Sequence, residues 1–438
     1  MIRLIYTAAL ALMLTGPIAT PLAAAVDITP VTSPSGHEAW LVEEHSIPFV
    51  SIEVIFTGGA SIDPEGQSGA VSLMTALLNE GAGDLNAQDY AAALEALAGS
   101  VSFTAGRDSV SMSIRALSEN RDQVIDLAIL ALTDPHFESQ SLERVRGQMV
   151  ASLESDARDP NTIAQHNFAA LGYAGHPYAR PSDGTADSVA ALSLDAILHA
   201  HQTAFTSDLA YVGAAGDITA AELGAITDRI LDQLPQSTAT LPEYQAFDAE
   251  PGITVIDFPG PQSVIQFGHA GMHYDDDDFM AAYLINTVFG GGGFSSRLMT
   301  QIREERGLTY GIYTSLASSR FGDSYVGRFS TANASAAEAI ELVRAQYEWL
   351  ANGGITQEDL DRAQTYLTGA YALRFDGNAS IANIMASMQF QDYPLDYVNI
   401  RNDLVRAVTL EDIQRVAAQL AQPEALHFVV VGQPEGLE

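Results

Sequence analysis

The sequence predicts two homologous α+β domains joined by a short connector, and three observations predict it. The chain has 438 residues, which exceeds one ordinary hydrophobic core and suits two domains of about 200 residues each. Alternating and helical apolar patterns follow one order before residue 234 and the same order again after residue 252. Both repeats also close alike. A Ser/Thr-capped helix leads to a strand ending in glycine, from Ser193 to Gly213 in the first and from Thr409 to Gly432 in the second.

In the first half, 38–42 and 50–56 alternate as strands around the turn-prone His45-Ser46-Ile47-Pro48. Residues 69–78 and 87–98 carry helical periods, 101–105 and 108–114 form a hairpin about Gly106, and 121–132 and 141–155 are long helices. In the second half, the strand 263–267 precedes helices over 281–288 and 295–305, strands over 309–316 and 325–330, and helices over 337–350 and 357–371. The segment 235–252, rich in Pro, Gln, Ser and Gly, reads as a linker with hinge character between a domain over 26–234 and one over 253–438.

Formal net charge is −35, and all twenty basic residues are Arg. Such a surface repels phosphate backbones, so nucleic acid is excluded as a partner. Met1-Ile2-Arg3, an apolar run over 4–18 and Ala23-Ala24-Ala25 have the order of a secretory signal peptide, so residues 1–25 are expected to be removed on export. That predicts a periplasmic protein, with an extracellular fate as the alternative. No later stretch is apolar enough to span a bilayer, and the absence of Cys removes disulfides and thiolate metal ligands.

No local pattern supplies a metal centre. H-E-x-x-H and H-x-x-E-H, which place two His one helical turn apart beside a basic Glu, do not occur. His37-Glu38 and Glu44-His45 read as surface residues, and His199 and His201 point to different sides of a helix. His269 and His273 lie in strand-like sequence, and Asp275-Asp276-Asp277-Asp278 reads as a solvated turn. G-x-S-x-G is absent as well. The run Gly290-Gly291-Gly292-Gly293-Phe294 lacks the Lys-Ser/Thr of a phosphate loop, and fits flexible backbone beside a peptide ligand.

The segment 290–313, GGGGFSSRLMTQIREERGLTYGIY, resembles the second homologous domain of M16 (insulinase/pitrilysin-like) peptidases, with its Gly-rich turn, S-S-R-L and R-E-x-x-G-L-x-Y. Ile47-Pro48 and Gly175-His176-Pro177-Tyr178 add to the resemblance. It implies the LuxS/MPP-like architecture, an antiparallel sheet covered by helices in each domain. Aligned from Gly69, the family's two zinc-binding His fall on Ser72 and Ala76, its catalytic Glu on Thr75, and its distant Glu near Ser152, with Glu154 close by. Ser, Thr and Ala cannot build a three-ligand zinc centre, so no cofactor is expected in this chain. The resemblance places the family's chamber-facing Arg/Tyr pair on Arg303 and Tyr310, and a guanidinium and a phenol suit stabilisation of an oxyanion. Arg297 reads as structural. The implied role is the non-zinc subunit of a heterodimeric peptidase, as in mitochondrial processing peptidases. The partner would carry H-x-x-E-H and the zinc, and the substrates would be peptides. The alternative is a non-catalytic peptide-binding or scaffold protein, and unaided hydrolysis by this chain comes third.

Overall fold

A computed structural model describes residues 26–437, so the signal segment lies outside the described residues. The first half contains β1 (Thr29–Thr32), β2 (Glu38–Glu43), β3 (Phe49–Thr57), α1 (Ala70–Leu77), a small ribbon of β4 (Gly81–Ala82) and β5 (Leu85–Asn86), and α2 (Ala87–Ala96). The hairpin β6 (Ser100–Ala105) and β7 (Ser109–Leu117) follows, then α3 (Arg121–Thr133), α4 (Ser139–Asp156) and α5 (Pro160–Gly172). The half ends with α6 (Ala186–Ala191), α7 (Leu194–Ala204), β8 (Ala210–Gly216) and α8 (Ala220–Leu231).

The second half begins with β9 (Gly252–Asp257), β10 (Gln262–His269) and α9 (Phe279–Asn286). It continues through β11 (Ile312–Ser319), β12 (Gly322–Ala332), α10 (Ala336–Ala351), α11 (Gln357–Tyr371), α12 (Asn378–Phe390), α13 (Tyr397–Ala407), α14 (Leu410–Leu420) and β13 (His427–Gly432).

The sheet orders, β1-β2-β8-β3-β7-β6 and β9-β13-β10-β12-β11, match strand for strand once β1 is set aside. Each sheet is antiparallel except for one parallel pair, β2 with β8 and β9 with β13, because the last strand of each half returns beside the first after a long helical excursion. The strand β9 and the helices α12 and α13 were not anticipated. The alternating G-I-T-V-I-D of β9 was hidden inside and next to the linker composition. The expected helix over 295–305 is present over 297–304, preceded by a short turn at Gly293–Ser295 and wound as a π-helix over Met299–Glu304.

Sequence chemistry explains the local choices. Thr409 accepts from the Asp412 N–H while Asp412 reaches back, a capping box that starts α14, and Ser193 caps α7. On β3, Val50, Ile52, Val54 and Phe56 face the first core, with α1, α3 and α7 packed above. Ile265 and Phe267 of β10 do the same in the second core.

The other face of each sheet is covered by a helix from the opposite half. The helix α12 lies on β8, β3 and β2, and α5 lies on β10 and β13. Gln389 donates to the Val212 carbonyl at 2.7 Å, and Asn378 to the Phe49 carbonyl at 3.2 Å. Gly213 makes the close approach feasible: a Cβ there would stand 2.3 Å from the Ala382 carbonyl oxygen and 2.5 Å from the Ala386 nitrogen. Residues 235–251 carry no helix or strand but are pinned down. Phe247 stacks on Phe168 of α5 at 4.4 Å, and the Asp248 N–H donates to the Gly172 carbonyl at 2.8 Å.

Candidate functional site

The helix where a zinc hydrolase would hold its metal is committed to packing. Its N-terminal N–H groups at Gly69 and Val71 donate to Asp63 at 2.8 and 3.0 Å. Burial outweighs those donors and pushes the Asp63 carboxyl up to about 6. Ser72 donates to Asp183 at 2.9 Å, Thr75 donates to the Val71 carbonyl at 2.7 Å, and both are buried. Ala76 is exposed, as are Ser152 and Glu154 on α4. A hydroxyl already spent on a carbonyl or carboxylate is no zinc ligand, so the donor set does not fit that metal.

The other expectations about metal-like residues resolve as follows. His201 bonds the Leu132 carbonyl at 2.8 Å beneath α7, and buried His269 bonds the Ala270 carbonyl at 2.7 Å. Asp278 pairs with Arg415, and Asp276 accepts from the Asp278 N–H at 2.8 Å, so that acidic run is a braced surface turn. Among the described residues one group of His and carboxylates is close enough to share an ion: His37, Asp228 and Asp232. His37 and Asp232 already bond each other at 2.9 Å.

The second-domain segment is arranged differently. After α9 the backbone widens into a π-helical turn at Thr287–Gly291. Gly290 is buried against Thr314, where a Cβ would come within 2.2 Å of the hydroxyl oxygen, and Gly292 lies against the Thr287 carbonyl. Gly293 adopts a left-handed φ of 65° with open space around it, and Phe294 is exposed. The Arg303 guanidinium lies 4.7 Å from the centre of the Phe294 ring, a cation–π contact, and no ion pair among the described residues engages it. Tyr310 sits just before the edge strand β11 with 89% of its surface accessible. Neither residue therefore follows the ordinary structural alternative, an ion pair with Glu304 or Glu305 and a tyrosine in the core. Arg297 does: it bonds Gln346 at 2.8 Å and lies over Trp349.

The G-H-P-Y turn is part of a junction between the halves that the sequence reading missed. The tips of hairpins β6–β7 and β11–β12 meet there. Asp108 on the first tip accepts from the Tyr178 hydroxyl and from the Arg320 N–H on the second tip. Tyr173 donates to the Asp323 carbonyl at 2.8 Å, and His176 bonds the Glu243 carbonyl at 3.0 Å. Burial raises the Asp108 carboxyl, and Arg107 stacks over Tyr178. The only sequence signal was the equivalent position of two Arg-containing turns, Arg107-Asp108 and Arg320-Phe321.

Comparison with known proteins decides the family. Residues 39–186 match the family described as Insulinase (Peptidase family M16), and residues 191–367 match the Peptidase M16 inactive domain. The chain belongs to the M16 peptidase family. A relative from Helicobacter pylori, "Non-peptidase homolog YmxG", is 26% identical over 89% of this chain and 90% of its own length. "Uncharacterized zinc protease SCO5738" from Streptomyces coelicolor is 24% identical over 80% of this chain and 78% of its own. Among solved structures, a peptidase M16 inactive domain from Pseudomonas fluorescens superposes with a TM-score of 0.87 at 27% identity, over 94% of this chain and all of that one. A Helicobacter pylori protease shares the fold at 17% identity with a TM-score of 0.81, over 93% of this chain. The M16 fold thus occurs here with α1 kept as a packing element.

Proposed function

We propose that this M16 chain is the non-zinc subunit of a heterodimeric peptidase, exported by residues 1–25 and acting in the periplasm. The observations that carry the proposal are the exposed Tyr310 and, seven residues before it, an Arg303 that is held over Phe294 and free of acidic partners among the described residues. The exposed phenol has no packing role, the half-buried guanidinium has no acidic partner among the described residues, and both suit a carbonyl oxygen that gains negative charge. The partner would bring H-x-x-E-H, and its bound zinc would supply the activated water. This chain would orient the peptide, along the Gly290–Phe294 turn, and hold the oxyanion.

The test mixes the purified chain with the zinc-bearing M16 subunit of the same cell and follows peptide cleavage. Activity should appear only in the mixture and fall in Arg303→Ala and Tyr310→Phe. Full activity in both variants would remove the assigned role. The name of the Helicobacter relative favours a second reading, a non-catalytic peptide-binding scaffold. Peptide binding without cleavage in any such mixture would favour that reading.

A further inference from the structure

A cavity of about 220 Å³ opens among α9, α11, α12 and α13, apart from the segment that carries Arg303 and Tyr310. Its walls include Tyr283, Tyr371, Tyr393 and Tyr397 together with Arg374 and Arg401, and no Asp or Glu contributes. That is unusual in a chain with 55 acidic and 20 basic residues. Arg401 is 95% buried by its 5% exposure. One nitrogen, Nη1, donates to the Leu367 carbonyl at 2.9 Å and to Asn402 at 3.2 Å. Among the described residues no hydrogen bond engages Nε or Nη2, and no carboxylate forms an ion pair with the group. The Tyr371 ring lies 4.6 Å from the guanidinium carbon and the Tyr283 ring 5.9 Å. Buried guanidinium groups are normally paired, because desolvation of an uncompensated charge is costly. The free Nε/Nη2 edge has the two-donor geometry that takes a carboxylate. Tyr393 and Tyr397 stack at 4.3 Å with 22° between planes, so the adjacent wall is flat and aromatic.

We propose that this cavity binds a carboxylate carried on an aromatic group, with the anion on the Nε/Nη2 edge of Arg401 and the ring among the tyrosines. The carboxylate belongs either to a free aromatic acid or to the C-terminal residue of a peptide. Arg374 at the rim adds a second positive charge. Because α12 is both a wall of this cavity and the cover of the first sheet, the ligand is held where the two halves cross.

The full chain is titrated calorimetrically with 3-phenylpropionate, with its neutral counterpart 3-phenylpropanol, and with an N-acetylated Gly-Gly-Gly-Phe peptide as free acid and as amide. Saturable binding tighter than about 1 mM by either acid, with the alcohol and amide at least tenfold weaker, is expected, and the better acid identifies the source. Arg401→Gln should weaken that binding at least tenfold. Ser387→Leu keeps Arg401 and fills the cavity, so it should abolish binding with the circular dichroism unchanged. The proposal is overturned if neither acid saturates at that concentration or the neutral probes bind equally well. It is also overturned if the folded Ser387→Leu protein binds as the parent does.

Discussion

Among the described residues Tyr310 is exposed and Arg303 is held by a single cation–π contact, which separates their two possible effects. Removing one oxyanion donor costs about 10²- to 10³-fold in kcat where it acts. Arg303→Ala and Tyr310→Phe should therefore lower kcat of the mixed complex by that order and leave the thermal midpoint of the isolated chain within about 2 °C. Steady-state kinetics and a melting curve check the two halves of that prediction. Asp63 behaves in the opposite sense. Its folded carboxyl titrates near 6 against an ordinary value of 3.8. Between these values the folded chain holds a proton that the unfolded chain has released, so this group's stabilising contribution grows as pH falls from 7 toward 4. The contribution is on the order of 3 kcal/mol at most. Urea unfolding of the parent should gain stability on acidification relative to Asp63→Asn; parallel pH profiles would rule the effect out. Residue identity alone could not disclose this, since Asp63 reads as a loop carboxylate until the turn folds it against Gly69 and Val71.

At the scale of elements, strong periodicity and caps made most of the chain legible. Helix α11 spans the expected 357–371, and the Ser193 and Thr409 caps fall where their side chains allow. What escaped is what depends on distant partners. Helix α12 is apolar on several sides because it packs on a sheet from one half and on helices from the other, which blurs its single-faced pattern. Arg401, within R-N-D-L-V-R, has the sequence of a solvated face, and only the crossing of four helices buries it. Within the site, the segment 290–313 was readable from its motif, whereas the meeting of the hairpin tips was not, because 212 residues separate Asp108 from Arg320. The α12 contact gives a sharp test. Gly213→Ala would drive a methyl group into helix backbone, and overpacking of this kind costs about 1–3 kcal/mol. The urea midpoint should fall accordingly, and an unchanged midpoint would mean that α12 does not rest on β8.

For the whole molecule, the exchange of α5 and α12 makes the two halves mutually dependent. Expressed alone, residues 26–234 would leave the inner face of the first sheet bare and α5 without its seat on β10 and β13. Each half alone should lack the near-UV circular dichroism of fixed aromatic packing, with the signal returning when both are co-expressed and co-purify. Independent folding of either half with native-like near-UV signal would contradict this dependence. The duplicated order seen in the sequence is thus real in the fold, and the connector expected to have hinge character stacks its Phe247 on Phe168.

Asp108 and Arg320 fasten the hairpin tips together at the centre, and two helices are lent across the same line. The two halves are therefore joined by more than the connector. If the proposed pair forms, opening between its two chains, rather than between the halves of this one, would be the way in for a peptide.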